Sequence, residues 1–147
     1  MAIPRPSYST GELIRLAYPG ACPISDSSVR EEQGSGGTGE HAYCVGGAVY
    51  MFVHGIGVAS ANRHERFPPV TNIAAALKSL NGQLTWALAT TYALSITQTN
   101  DIPTLGGPER AWGFVQQALE APCRRKAPFG RLTARVRACI ERAEAAV

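Results

Sequence analysis

Ser79-Leu-Asn-Gly-Gln-Leu-Thr-Trp-Ala-Leu-Ala-Thr-Thr-Tyr-Ala-Leu-Ser-Ile-Thr-Gln-Thr-Asn100 carries no charged side chain, and none lies between Lys78 and Asp101. From Gln83 to Gln98 it is rich in Leu, Ala and Trp and has neither Gly nor Pro. That composition predicts a helix. Leu84, Leu88 and Tyr92 would lie on one side of it, and Trp86, Ala89, Ala93 and Ile96 on others. A helix that is apolar all round and lacks a charged face is ordinarily a buried one. The stretch is therefore expected to be the central post of an all-α domain.

Working outward, His41 to His54 is a second apolar stretch. Tyr43, Cys44, Val45, Ala48, Val49, Phe52 and Val53 would cover more than half of a helix. Gly46-Gly47 in its middle costs about 1 kcal/mol per glycine relative to Ala, so a close backbone contact must compensate. The expected partner is the 83–98 helix. A strand over Ala48–Val53 is the alternative, because Val, Tyr and Phe favour sheets. Ser9 and Glu12 fit a capping box that opens a helix bearing Leu13, Leu16 and Ala17, and Pro19-Gly20 ends it. Gly55 to Phe67 reads as a connector closed by Pro68-Pro69. Thr71 is placed to cap a helix with Ile73, Ala76, Leu77 and Leu80 on one face, and Asn81-Gly82 reads as a left-handed stop. Asn100 should end the central helix and Asp101 anchor the following loop. Pro108 and Glu109 suit the first turn of a helix with Ala111, Trp112, Val115, Ala118 and Leu119 as its apolar stripe. Leu132, Val136, Ile140 and Ala143 mark a last helix. The whole is a compact bundle of five to six helices with a long glycine-rich loop over 21–40.

The 147 residues are 45% hydrophobic and 17% charged, which suits one globular domain. It spans 1–147, with its core over about 9–121 and a basic C-terminal helix at 131–146. No apolar leader opens the chain. The two charge-free stretches, 41–62 and 79–100, hold Asn, Gln, Thr, His or clustered Gly, which a bilayer penalises. A soluble cytoplasmic protein with no membrane partner is expected. Cys22, Cys44, Cys123 and Cys139 form no CxxC pair and read as reduced thiols. The pairings Cys22–Cys44 and Cys123–Cys139 stay open. Residues 1–122 hold 7 Lys/Arg against 9 Asp/Glu, a balance of −2, whereas residues 123–147 hold 7 against 2, a balance of +5.

Three sets of residues invite a chemical reading. Cys44 stands near a helix start with His41 three residues earlier. A helix N-terminus and an imidazole both activate a thiol, and Asn100 or Asp101 could complete a cysteine nucleophile system. The competing reading is a small thiol packed beside Gly47. His41, Cys44, His54 and His64 gather within 24 residues, but their spacing fits no zinc pattern, and His54 would point away from Cys44 on a continuous helix. A calcium loop through Asn100, Asp101 and Glu109 fails for want of acidic residues at alternate positions, and Pro103 intrudes. No metal and no cofactor are expected. Arg124, Arg125, Lys126, Arg131, Arg135 and Arg142 form a basic segment that could hold phosphates or an acidic protein. Only Phe129 accompanies it as an aromatic, so base stacking is poorly served.

Tyr43-Cys44-Val45-Gly46-Gly47-Ala48 resembles the aromatic-Cys-x-x-Gly-Ala helix start of an uncharacterised family of small helical domains found in high-GC bacteria and their phages. Leu80-Asn81, Ala89, Tyr92-Ala93, Ile96, Asn100-Asp101 and the helix ending Ala118-Leu119 continue the likeness, which covers Glu40 to Leu119. Thr99 stands where the family usually has Trp. The resemblance implies a helical fold and a phage or mobile-element setting, and it carries no cofactor or catalytic residue.

The function expected from these residues is non-catalytic binding of another macromolecule. A protein partner comes first, either a second copy or a host protein. The alternatives are an enzyme using Cys44 with His41 and Asn100/Asp101, and a nucleic-acid-associated regulator using the basic segment.

Overall fold

The computed structural model describes residues 9–21 and 42–120. The expected glycine-rich loop from residue 22, the basic segment, the expected 131–146 helix, His41, Cys22, Cys123 and Cys139 lie outside the described residues. Among the described residues six α-helices run in order: α1 (Thr10–Ala17), α2 (Val45–His54), α3 (Arg63–Arg66), α4 (Val70–Leu80), α5 (Trp86–Asp101) and α6 (Gly107–Glu120). Short 3-10 turns stand at Val58–Ser60 and Pro103–Leu105. The described residues contain no strand, so the fold is all-α and the strand alternative for Ala48–Val53 is excluded.

The hub of the bundle is α2. It touches every other described helix and buries Val45, Gly46, Gly47, Ala48, Val49, Met51 and Phe52. Burial of each large apolar side chain here is worth about 1.5–3 kcal/mol. Its glycines make room for neighbours, but not for the helix expected from the sequence. A Cβ on Gly47 would stand 2.1 Å from the Arg66 carbonyl oxygen, and one on Gly46 would stand 2.4 Å from Ile73 Cδ1. The close partners are therefore the end of α3 and the inner face of α4. Gly55 closes α2 in the left-handed region, with φ 67° and ψ 34°, a conformation that glycine adopts without penalty.

The expected connector at 55–67 contains α3, a single turn with a full capping box. Asn62 Oδ1 accepts from Glu65 N at 2.9 Å, and Glu65 Oε2 accepts from Asn62 N at 2.7 Å. The helix α4 buries Ile73, Ala76 and Leu77 as the periodicity predicts. It starts one residue before Thr71, with Pro69 at the cap position and no side-chain cap bond. Asn81 is extended, at φ −133°, and Gly82 has no positive φ, so the stop between α4 and α5 is not left-handed. Instead Asn81 Nδ2 donates to the Ala118 carbonyl at 2.9 Å, while Asn81 Oδ1 accepts from Gln83 N at 3.2 Å.

The largest departure concerns α5. It starts at Trp86, three residues after the expected Gln83, with the Thr85 hydroxyl accepting from Leu88 N at 3.1 Å, and it ends at Asp101, at the Thr99-Asn100-Asp101 stop expected from the sequence. It packs along α4 and α6 through Ala89, Ala93, Ile96, Thr99 and Asn100. The side opposite carries Leu94, 43% exposed, while Leu88 on a flank is 42% exposed and Trp86 in the first turn 58%. The uncharged helix is thus a wall of the bundle, and the post is α2. The α6 stripe is buried through Ala111, Trp112, Val115 and Ala118. Arg15 pairs with Glu109 between α1 and α6, an exposed contact worth less than about 1 kcal/mol. Deeper ties hold α1: Tyr18 meets Tyr43 edge-on at 6.2 Å, and the Tyr18 hydroxyl donates to the Ile56 carbonyl.

Because the Arg66 peptide cannot retreat as a side chain could, Gly47→Ala should lower stability by about 3 kcal/mol. Gly82→Ala, with nothing within 4 Å of its added methyl, should stay within about 0.5 kcal/mol of wild type. Urea unfolding of both variants checks this; equal small losses would show that the 2.1 Å approach is not a constraint.

Candidate functional site

The structure brings Cys44, Asn100 and Asp101 together at the start of α2. Cys44 is the cap residue, extended at φ −89° and ψ 168°. Its Sγ accepts from Gly47 N at 3.1 Å and donates to the Arg66 carbonyl at 3.5 Å. Cys44 N–H donates to that same carbonyl at 3.4 Å. The next backbone donor, Val45 N–H, is taken by Asn100 Oδ1 at 3.1 Å. Asn100 Nδ2 donates to Asp101 Oδ1 at 3.1 Å. The amide groups that a helix start leaves over are thus met by internal partners.

Geometry and burial both favour the neutral thiol. Its contact with the Arg66 carbonyl oxygen at 3.5 Å is a hydrogen bond only while the sulfur carries its proton. Cys44 is 3% exposed, and burial pushes its pKa up to about 12. The Gly47 N–H pulls the other way, and the negative charge of Asp101 adds to the rise. A thiolate is the nucleophilic form, so the arrangement is that of a cap and packing group.

No imidazole among the described residues serves Cys44. His54 lies at the far end of α2, tilted against Tyr50 at 4.3 Å between ring centroids. His64 is exposed on α3. The described residues contain no group of three metal-ligating side chains, and Glu109, paired with Arg15, takes no part in a site with Asp101. No described helix is long and apolar enough to cross a membrane.

Sequence reasoning missed a surface. Ala87, Thr91, Leu94 and Gln98 follow one another at intervals of three or four along the outer side of α5, all of them exposed, and Trp86 flanks the row at its start. The Thr91 hydroxyl donates to the Ala87 carbonyl at 2.9 Å, so its polar atom is already engaged. Near Trp86 the Lys78 ammonium sits 5.4 Å from the ring centroid and donates to the Leu84 carbonyl at 2.8 Å. At the other end Ile102 and Leu105 are exposed. The signal is present in the run without charges, but from sequence that run reads as an inward face.

Because the folded protein holds the Cys44 proton more tightly than the unfolded chain does, the stability this confers is intact below pH 9.0 and lost as pH rises toward about 12. Cys44→Ser removes that group, so wild type should lose stability more steeply than the variant across this window; parallel curves would contradict the buried neutral thiol. At neutral pH, iodoacetamide should modify Cys44 roughly a hundredfold more slowly in the native protein than in urea, read from the mass of its peptide.

The chain matches no family model, no curated protein and no solved structure.

Proposed function

We propose that the protein is a non-catalytic protein-binding domain and that the outer face of α5 is its contact surface. One observation carries this reading: a large aromatic and a leucine, Trp86 and Leu94, stand exposed in a stretch that bears no charge from Ser79 to Asn100. A helix face that stays in water is normally dressed with Lys, Glu or Arg, and Trp is enriched where proteins meet. The Cys44 alternative has less support, because its thiol is buried, neutral and committed to two internal hydrogen bonds. A phage or mobile-element setting has only the sequence resemblance behind it, and the nucleic-acid alternative draws on residues outside those described.

Wild type and Leu94→Glu should be compared as baits in a host lysate, with the mass of the captured complexes measured intact. Leu94 is exposed, so the variant should melt within about 3 °C of wild type, about the shift that 1 kcal/mol produces in a domain of this size. It should lose the bound protein. Equal capture by both baits would remove the α5 face from the function.

A further inference from the structure

We infer that the partner of this face is a second copy of the chain, with two α5 helices packed antiparallel about a two-fold axis. The inference rests on the protein-binding reading and specifies its partner. A two-fold interface brings each surface patch against itself. Any charge near its centre then meets its own copy and is repelled. The outer row of α5 meets that condition, since Ala87, Thr91, Leu94 and Gln98 are uncharged and the first charges lie at the two ends. Those end charges have opposite sign: the Lys78 ammonium rests at the Trp86 ring, and Asp101 lies in the last turn of α5. An antiparallel pair puts the Lys78 end of each copy beside the Asp101 end of the other, twice. A parallel pair would set like charges together.

The register follows from the spacing. Leu94 lies seven residues after Ala87 and seven before Asp101, so it sits at the axis and meets its own counterpart. That register also sets Ala87 of each copy opposite the last turn of α5 in the other. Ala87, two turns from the axis, is small enough to let the backbones approach. Thr91, one turn away, keeps its hydroxyl on the Ala87 carbonyl and can turn its methyl to the partner. The Arg110 guanidinium, the other cation near this end, is held on the α6 side by the Leu105 carbonyl at 3.1 Å and by the Phe114 ring, clear of the row.

Sedimentation of the full chain from about 1 to about 100 µM should show a dimer. Leu94→Glu and Leu94→Lys should each weaken it by about a hundredfold, because each places two like charges at the axis. An equimolar mixture of the two should restore dimers as mixed pairs. A carbodiimide, which joins amine to carboxylate without a spacer, should link Lys78 to Asp101 in the wild-type dimer. Within one chain these ends are separated by about 22 Å of helix, so the link reports contact between copies. The inference fails if wild type is monomeric, if either variant stays dimeric, or if the mixture does not pair. A monomer whose Trp86 is nevertheless shielded from acrylamide would assign the face to another part of the same chain, and would also overturn it. If wild type is monomeric yet loses a captured protein on Leu94→Glu, the second copy is excluded while the protein-binding reading survives.

Discussion

The approach of α2 to the Arg66 peptide fixes the rest of the bundle. Gly47 lies so near the Arg66 carbonyl that no side chain fits between them. The same oxygen accepts from Cys44 N–H and from the Cys44 thiol. One peptide group therefore sets where α2 begins and how close α3 comes. The turn of α3 is rigid because Asn62 and Glu65 cap each other, and Pro68-Pro69 then leads directly into α4. Moving the Arg66 carbonyl would shift α4, and with it Ile73, whose side chain fills the space left by Gly46.

The second dependence is polar. Asn100 is fully buried, and burying an amide is tolerable only with its hydrogen bonds in place. Its carbonyl oxygen serves the start of α2, and its NH2 group serves Asp101. The end of α5 is thereby joined to the start of α2 across 55 residues of sequence. The charge of Asp101 beside this junction also opposes ionisation of the Cys44 thiol. The residues that look like parts of a nucleophile system are, in this setting, parts of a helix-start lock.

Much of the fold is legible in the sequence because hydrophobic spacing and helix-end chemistry are local. The Ser9 cap, the Ile73–Ala76–Leu77 face and the Ala111–Trp112–Val115–Ala118 stripe need no knowledge of neighbours. What fails depends on neighbours. Charges tell the inside of a helix from its outside, and α5 has none before Asp101, so Trp86 and Leu94 read as inward when they are not. The two glycines announce a close contact but cannot name Arg66 and Ile73 as its members. Asn81 looks like a left-handed stop because its real partner, the Ala118 carbonyl, is 37 residues away. The Cys44–Asn100–Asp101 grouping is visible as residue types, yet the Arg66 carbonyl that accepts from the thiol belongs to a turn that reads as a connector.

Two asparagines, one at each end, hold α5 in place. Asn81, just ahead of it, grips the last turn of α6, and Asn100, in its own last turn, grips α2. A helix anchored at both ends cannot rock or unwind without uncovering a buried amide. Its outer side chains are therefore offered on a stiff backbone, and a binder that settles there forfeits little chain freedom in doing so. Stiffness of this kind favours slow release over loose, adaptable contact.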